Sequence, residues 1–85
     1  MNGPRFRIEY GATALDELDR ITPKLRIQIL RKIQRLERGL HGNIKRLRAG
    51  EAAYRLRIGD YRALFDVERD IIVIRRVGHR REIYD

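Results

Sequence analysis

The chain lacks the residues that staple small domains or hold most structural metals. It contains no cysteine and only two histidines, His41 and His79, which stand far apart. No disulfide can form, and the sequence offers no credible metal site. We therefore expect a protein that works without a metal or other cofactor.

Long apolar segments are also missing. No apolar run approaches the roughly 18 residues that a membrane-spanning helix needs, and residues 1–5 lack the apolar stretch of a signal peptide. We expect a cytoplasmic protein that does not associate with membranes. A chain of 85 residues should form a single domain, residues 1–85.

Lysine is scarce, whereas arginine is abundant. Three lysines stand against seventeen arginines, and the formal net charge is +8. The planar guanidinium matches phosphate in a bidentate way, although arginine-rich composition is also typical of a GC-rich genome. The net charge predicts affinity for polyanions whatever its origin. Because the charge is spread evenly along the chain, a binding site has to come from folded geometry.

The first half of the chain predicts one strand and two helices. Alternating apolar and polar side chains favour a strand over residues 5–10. Thr13, with an acidic residue three positions later, resembles a capping box and predicts a short helix over 13–20. Apolar residues at three- and four-residue spacing predict a second helix over 23–38, which Gly39 ends.

The second half predicts three strands. A basic loop over residues 39–50 leads to a hairpin over 54–67, and a last strand over 71–77 should be buried on both faces. The order β-α-α-β-β-β predicts an α+β domain. We expect a helical hairpin packed on one face of a small, largely antiparallel four-stranded sheet, with the other face free.

The hairpin has the most informative pattern. With a two-residue turn at Gly59 and Asp60, Arg57 faces Arg62, and Arg55 joins them on the same side of the sheet. Like charges directly opposite each other cost about 0.2–1 kcal/mol per pair. A solvated charged face is one interpretation, and an anion-binding face, most plausibly for phosphate, is the other. The opposite side carries a core face formed by Tyr54, Leu56, Ile58, Tyr61, Ala63, Phe65 and Val67.

Three motifs together resemble a known family. They are the hairpin Tyr-Arg-Leu-Arg-Ile-Gly-Asp-Tyr-Arg over 54–62, Arg-Val-Gly-His-Arg over 76–80, and Glu-Ile-Tyr over 82–84. With the element order and a Lys-Arg-Leu segment at 45–47, they are similar to the RelE branch of the RelE/ParE toxin superfamily. The resemblance covers nearly the whole chain.

The resemblance implies the toxin of a type II toxin–antitoxin pair. Such toxins cut messenger RNA in the ribosomal A site, by attack of a ribose 2′-hydroxyl on the adjacent phosphate without metal. The implied partners are a RelB-like antitoxin, mRNA on the ribosome and ribosomal RNA.

The resemblance also implies site residues, in two groups. Arginine stays protonated in proteins, so the arginines should hold phosphate and stabilise charge, while proton transfer falls to the histidine and the C-terminal tyrosine. A one-residue shift of the alignment exchanges Arg80 and Arg81. The catalytic group comprises Arg62, His79, Arg80 and Tyr84, and the RNA- and phosphate-binding group comprises Arg55, Arg57, Arg81 and Lys45.

Two other functions remain open from the sequence. One is a non-enzymatic, ParE-like inhibitor of DNA gyrase with the same fold. The other is a catalytically inactive basic module that binds RNA or the ribosome.

Overall fold

A computed structural model describes residues 5–83 of the chain. The first half forms β1 (Arg7–Tyr10), α1 (Ala12–Asp19) and α2 (Pro23–Gln34), which continues as a 3₁₀ turn (Arg35–Arg38). The second half forms β2 (Ile44–Arg46), β3 (Tyr54–Ile58), β4 (Tyr61–Glu68) and β5 (Ile71–His79). No helix among residues 5–83 is long and apolar enough to cross a membrane.

The strands form one sheet in the order β1-β5-β4-β3-β2. Among the strands of residues 5–83, β1 and β5 form the one parallel pair, and the other neighbours are antiparallel. Both helices contribute to a single core against one face. The predicted α+β class, the helical layer on one face and the largely antiparallel sheet are confirmed.

In the part of the chain that the structure describes, the sheet has five strands where four were predicted. The additional strand is β2, which lies in the segment predicted as a basic loop and pairs with β3. It is only three residues long, so it is too short for an alternating pattern to identify. A short edge strand with exposed Lys45 and Arg46 also discourages pairing with another chain.

The predicted hairpin register is confirmed. Ile58 pairs with Tyr61 and Arg57 with Arg62, and the same register continues to the last pair, Tyr54 with Phe65. Gly59 has φ 59°, which a residue without a Cβ adopts at little cost. A positive φ at the first turn position suits the twist of a two-residue hairpin.

The start of α1 differs from the prediction. The N-cap is Gly11 and no side chain caps the helix, so Thr13 lies inside α1 and forms no capping box. Pro23 occupies the first turn of α2 as predicted, and Gly39 ends the helical segment with φ 137°.

The core lies between the helices and one face of the sheet. Residues with little or no exposure meet there from α1, α2, β4 and β5, including Ala14, Leu18, Ile29, Ile33, Phe65, Ile72, Ile74 and Val77.

The prediction that the last strand is buried on both faces is wrong. β5 is interior to the sheet, but Ile71 and Val73 on its other face are only half-buried. The helices cover one face alone, and that single layer is the physical reason.

Replacing Gly59 tests the turn. Gly59→Ala should lower the free energy of unfolding by about 1 kcal/mol, because an alanine is strained at this φ. A Cβ there would meet no described atom within 4 Å, so strain is isolated from clash. Asparagine tolerates positive φ, so Gly59→Asn is the matched control and should lose less in urea unfolding. Equal losses would contradict this account of the turn.

Candidate functional site

The sheet face opposite the helices carries a group of basic side chains. We call Lys45, Arg55, Arg57 and Arg62 the arginine face. In the sheet register Lys45 lies opposite Arg55, and Arg57 lies opposite Arg62. Alternation along each strand places these residues away from the core, since their neighbours Ile44, Leu56 and Ala63 pack towards the helices. Lys45 and Arg55, two residues of the predicted RNA-binding group, therefore lie on the same surface as the predicted pair of Arg57 and Arg62.

Arg62 is held at the hairpin turn. Its Nη1 donates hydrogen bonds to the backbone oxygens of Gly59 and Tyr61, both at 2.9 Å. A guanidinium fixed in this way loses less conformational entropy when it binds a ligand.

The charges around Arg62 crowd one another. Partial removal from water lowers the pKa of Arg62, and the positive charges of Arg57, Arg55 and Arg80 lower it further, while Asp60 opposes them. The group remains protonated, because arginine does so throughout the range of ordinary pH. An anion bound here would relieve the repulsion, so the site favours phosphate or another oxyanion.

Arg80 is tied to the same turn. Its backbone N–H donates to the Asp60 oxygen at 2.7 Å, and its Nε lies 3.9 Å from Asp60 Oδ1. The side chain is about half exposed. The segment after β5 is thereby fastened to the hairpin, which brings Arg80 within electrostatic range of Arg62.

The chain then turns back over the arginine face. The His79 oxygen accepts the N–H groups of Glu82 and Ile83, and Ile83 is buried. Ile83 packs on Gly78, where an added Cβ would lie 3.0 Å from Ile83 Cδ1. Gly78 is opposite Arg62 in the sheet, so Ile83 lies beside Arg62. Tyr84, the predicted catalytic tyrosine, lies outside the described residues.

His79 points to the other side of the sheet. Its ring makes an edge contact with Tyr61 at 5.4 Å, and both residues line a cavity of about 280 Å³ beneath α1 and α2. Its Nδ1 accepts the Arg81 N–H at 3.2 Å, so the neutral ring carries its proton on Nε2. The structure therefore brings Arg62 and Arg80 together and leaves the His79 side chain off the arginine face. Arg81 is exposed, and its backbone makes this contact.

A carboxylate network beside the site was not found from the sequence. Arg76 Nη2 pairs with Glu17 Oε2 at 2.9 Å, and its Nη1 pairs with Glu51 Oε1 at 2.7 Å. The hydrogen bond to Glu17 raises the pKa of Arg76, and the charges of both carboxylates add to this. The positive charge of Arg76 is thus balanced by two carboxylates, unlike the charge of Arg62. Its partners are distant in the chain, so no local motif marks them.

A second carboxylate fixes the loop between β2 and β3. Asp66 accepts the Ala53 N–H at 2.8 Å and Arg75 Nε at 3.0 Å. This loop borders the arginine face, because Asp66 lies on the same side of β4 as Arg62. Asp66, Glu17 and Glu51 therefore balance the charges of Arg75 and Arg76 at one end of the face. Asp66 also fixes the loop that borders it.

The fold and the arginine face together define a class of protein. Residues 8–84 match the family described as the ParE toxin of the type II toxin–antitoxin system parDE. The chain belongs to the RelE/ParE superfamily of type II toxins, in its RelE-like branch, as the sequence motifs indicate.

Individual relatives support this placement. The chain is 30% identical to toxin RelE3 of Methanocaldococcus jannaschii, over 94% of this chain and 97% of that protein. The RelB–RelE antitoxin–toxin complex of Methanococcus jannaschii matches with TM-score 0.72 and 30% identity, covering 91% of this chain and 95% of that one. The RelBE2 complex of Mycobacterium tuberculosis matches with TM-score 0.78 over 88% and 98% of the two chains, and at 24% identity it supports the fold alone.

Removing one charge should separate stability from RNA binding. Arg57→Gln keeps much of the side chain but ends the like-charge pair with Arg62, so the free energy of unfolding should rise by about 0.2–1 kcal/mol at low salt. The slope of log affinity for single-stranded RNA against log salt should fall by about 0.7, the value for one lost phosphate contact. Arg31→Gln, an exposed arginine on α2, is the matched control. Equal changes of slope in both variants would contradict a localised binding face.

Proposed function

We propose that the protein is a ribosome-dependent mRNA endonuclease, which cleaves by attack of a ribose 2′-hydroxyl on the adjacent phosphate without a metal. The observation that carries this proposal is the cluster of guanidinium groups around Arg62, fixed by the hairpin turn and by the tie between Arg80 and Asp60. Membership of the RelE-like branch supports the same reaction class.

The charge cluster suits the transition state of this reaction. Attack at phosphorus builds negative charge on the non-bridging oxygens, and fixed positive groups stabilise that charge best in a preorganised site. Arg62 and Arg80 are assigned this role. Lys45, Arg55 and Arg57 hold the flanking phosphates along the sheet.

Proton transfer requires groups other than arginine. The 2′-hydroxyl must lose a proton, and the departing 5′-oxygen must gain one. We assign the first step to Tyr84 as the general base, a role that requires nearby positive charge to favour its phenolate form. His79 is assigned the second step, in which its imidazolium form donates the Nε2 proton to the departing oxygen and is left as the neutral imidazole. This role requires the RNA to pass the end of the sheet, where Asp60 and Arg80 meet.

We further propose that the cellular partners are mRNA in the ribosomal A site, ribosomal RNA and a RelB-like antitoxin. The RelE of Methanococcus jannaschii is solved as a complex with RelB. A partner that silences this chain would need acidic groups to occupy the arginine face, together with apolar groups for exposed Leu15 and Ile27 on the helices.

A second candidate function is inhibition of DNA gyrase. It is favoured by the family model, whose description names the ParE toxin. A supercoiling assay with purified protein decides between the two, because inhibition without RNA cleavage would favour the ParE-like activity.

Cleavage of a translated reporter message tests the main proposal. Arg62→Ala should reduce the rate by about 10²–10³-fold, the usual effect of removing one donor to a developing oxyanion. Tyr84→Ala should reduce it to a similar extent, while Arg31→Ala should cleave normally. Normal cleavage by both site variants would rule out this catalytic assignment.

Growth arrest tests the partner. Expression of the toxin alone should stop growth, and co-expression with an antitoxin that has an acidic toxin-binding segment should restore it. Replacing the acidic residues of that segment with amides should weaken rescue, since the arginine face would lose its counter-charge. Full rescue by the amide variant would show that charge on this face is not what the antitoxin recognises.

A further inference from the structure

We propose that Glu17 is a positioning residue, whose carboxylate holds the end of β5 and thereby sets Arg80 against Arg62. The inference rests on the proposed function for its consequence in cleavage. The hold on the strand itself can be measured without any activity.

The end of β5 has a strand on one side only. β1 pairs with β5 from Ile71 to Ile74, and the Gly11 N–H donates to the Ile74 oxygen as the chain leaves the sheet. Among the described strands, β4 alone continues along β5 to His79. The outer edge of the last residues of β5 would therefore expose its backbone groups.

Glu17 takes the place of the missing strand. Its Oε1 accepts the Val77 N–H at 2.9 Å, which is the bond that a neighbouring backbone carbonyl would otherwise make. α1 begins one residue after β1 and packs against β5, so it presents Glu17 to this edge. The Glu17 side chain is only 20% exposed, so water competes weakly for the bond.

The same carboxylate fixes Arg76. Arg76 Nε lies 3.1 and 3.0 Å from the two oxygens of Glu17, and Nη2 lies 2.9 Å from Oε2. The bidentate arrangement fixes the orientation of Glu17 as well as its charge. Glu51 holds the other side of the guanidinium, which links α1, β5 and the β2–β3 loop.

We call the hold of Glu17 on Val77 the clamp, and its place in β5 explains why it affects Arg80. Val77 precedes Arg80 by three residues, and the intervening residues form the last two rungs with β4, at Arg62 and Tyr61. Edges with few backbone partners open locally at low cost. Loss of the Val77 bond would let the strand end move, and a displacement of about 1 Å at a reacting group can cost up to 10²-fold in rate.

Amide hydrogen exchange tests the clamp directly. In Glu17→Ala the Val77 amide should exchange at least about tenfold faster, and the Arg80 amide, which donates to Asp60, should also exchange faster. Glu51→Ala is the matched control, because it removes the other partner of Arg76 and leaves the Val77 bond in place. Unchanged exchange at Val77 in Glu17→Ala would overturn the proposal.

A charge swap separates positioning from simple stabilisation. The triple variant Glu17→Arg, Arg76→Glu and Glu51→Gln can restore an ion pair without leaving the new carboxylate against Glu51, but the arginine cannot accept the Val77 N–H. It should regain thermal stability relative to Glu17→Ala, yet its single-turnover cleavage rate should stay about tenfold or more below wild type with RNA affinity unchanged. Glu17→Gln keeps an acceptor oxygen and should recover part of the rate. Recovery of the full rate by the triple variant would overturn the positioning role.

The two proposals fail in different ways. If the wild-type protein cleaves no RNA, the proposed function fails, while faster exchange at Val77 and Arg80 in Glu17→Ala still establishes the clamp. If the wild-type protein cleaves and Glu17→Ala cleaves equally well when fully folded, the positioning role fails and the function stands.

Discussion

The two-residue turn at Gly59 and Asp60 is the constraint on which the rest of the structure depends. A turn of fixed length gives every residue of β3 one partner in β4, and strand alternation then sends each side chain to one face or the other. A register shifted by one residue would turn one strand's arginines towards the helices and its apolar residues towards solvent. The packed core and the charged surface are therefore two results of the same local geometry, and the turn also supplies, through Gly59, one of the two oxygens that hold Arg62.

Most features determined by neighbouring residues were predictable, with the capping box at Thr13 as the exception, and features that depend on distant contacts were not. The hairpin register, the proline at the start of α2 and the single helical layer followed from spacing alone. β2 was missed because three residues carry too little pattern. His79 was expected beside the arginines, but strand parity gives that position to Gly78, and only the register with β4 shows this. Glu17 could not be predicted, since its partners are 59 and 60 positions away.

Charge is distributed over the sheet in a graded way. At one end, Arg75 and Arg76 are paired with the carboxylates of Asp66, Glu17 and Glu51. Around Arg62 positive charges outnumber nearby carboxylates, with Asp60 as the counter-charge that opposes the lowering of its pKa. The arginines that are paired with carboxylates stabilise the fold, whereas the arginines around Arg62 raise the local positive electrostatic potential. Arginine thus stabilises the fold at one end of the sheet and forms an anion-binding site at the other.

The contact between Gly78 and Ile83 has a practical consequence for handling the protein. Because Gly78 has no side chain, Ile83 packs directly on the sheet, and the chain leaves the described structure beside Arg62. Any fusion partner, dye or immobilisation tag attached directly after Ile83 would start next to the charged surface and compete there with polyanions. The opposite end of the described chain, at β1, is separated from Arg62 by β5 and β4. Attachment ahead of β1 is therefore the geometry that leaves the surface open.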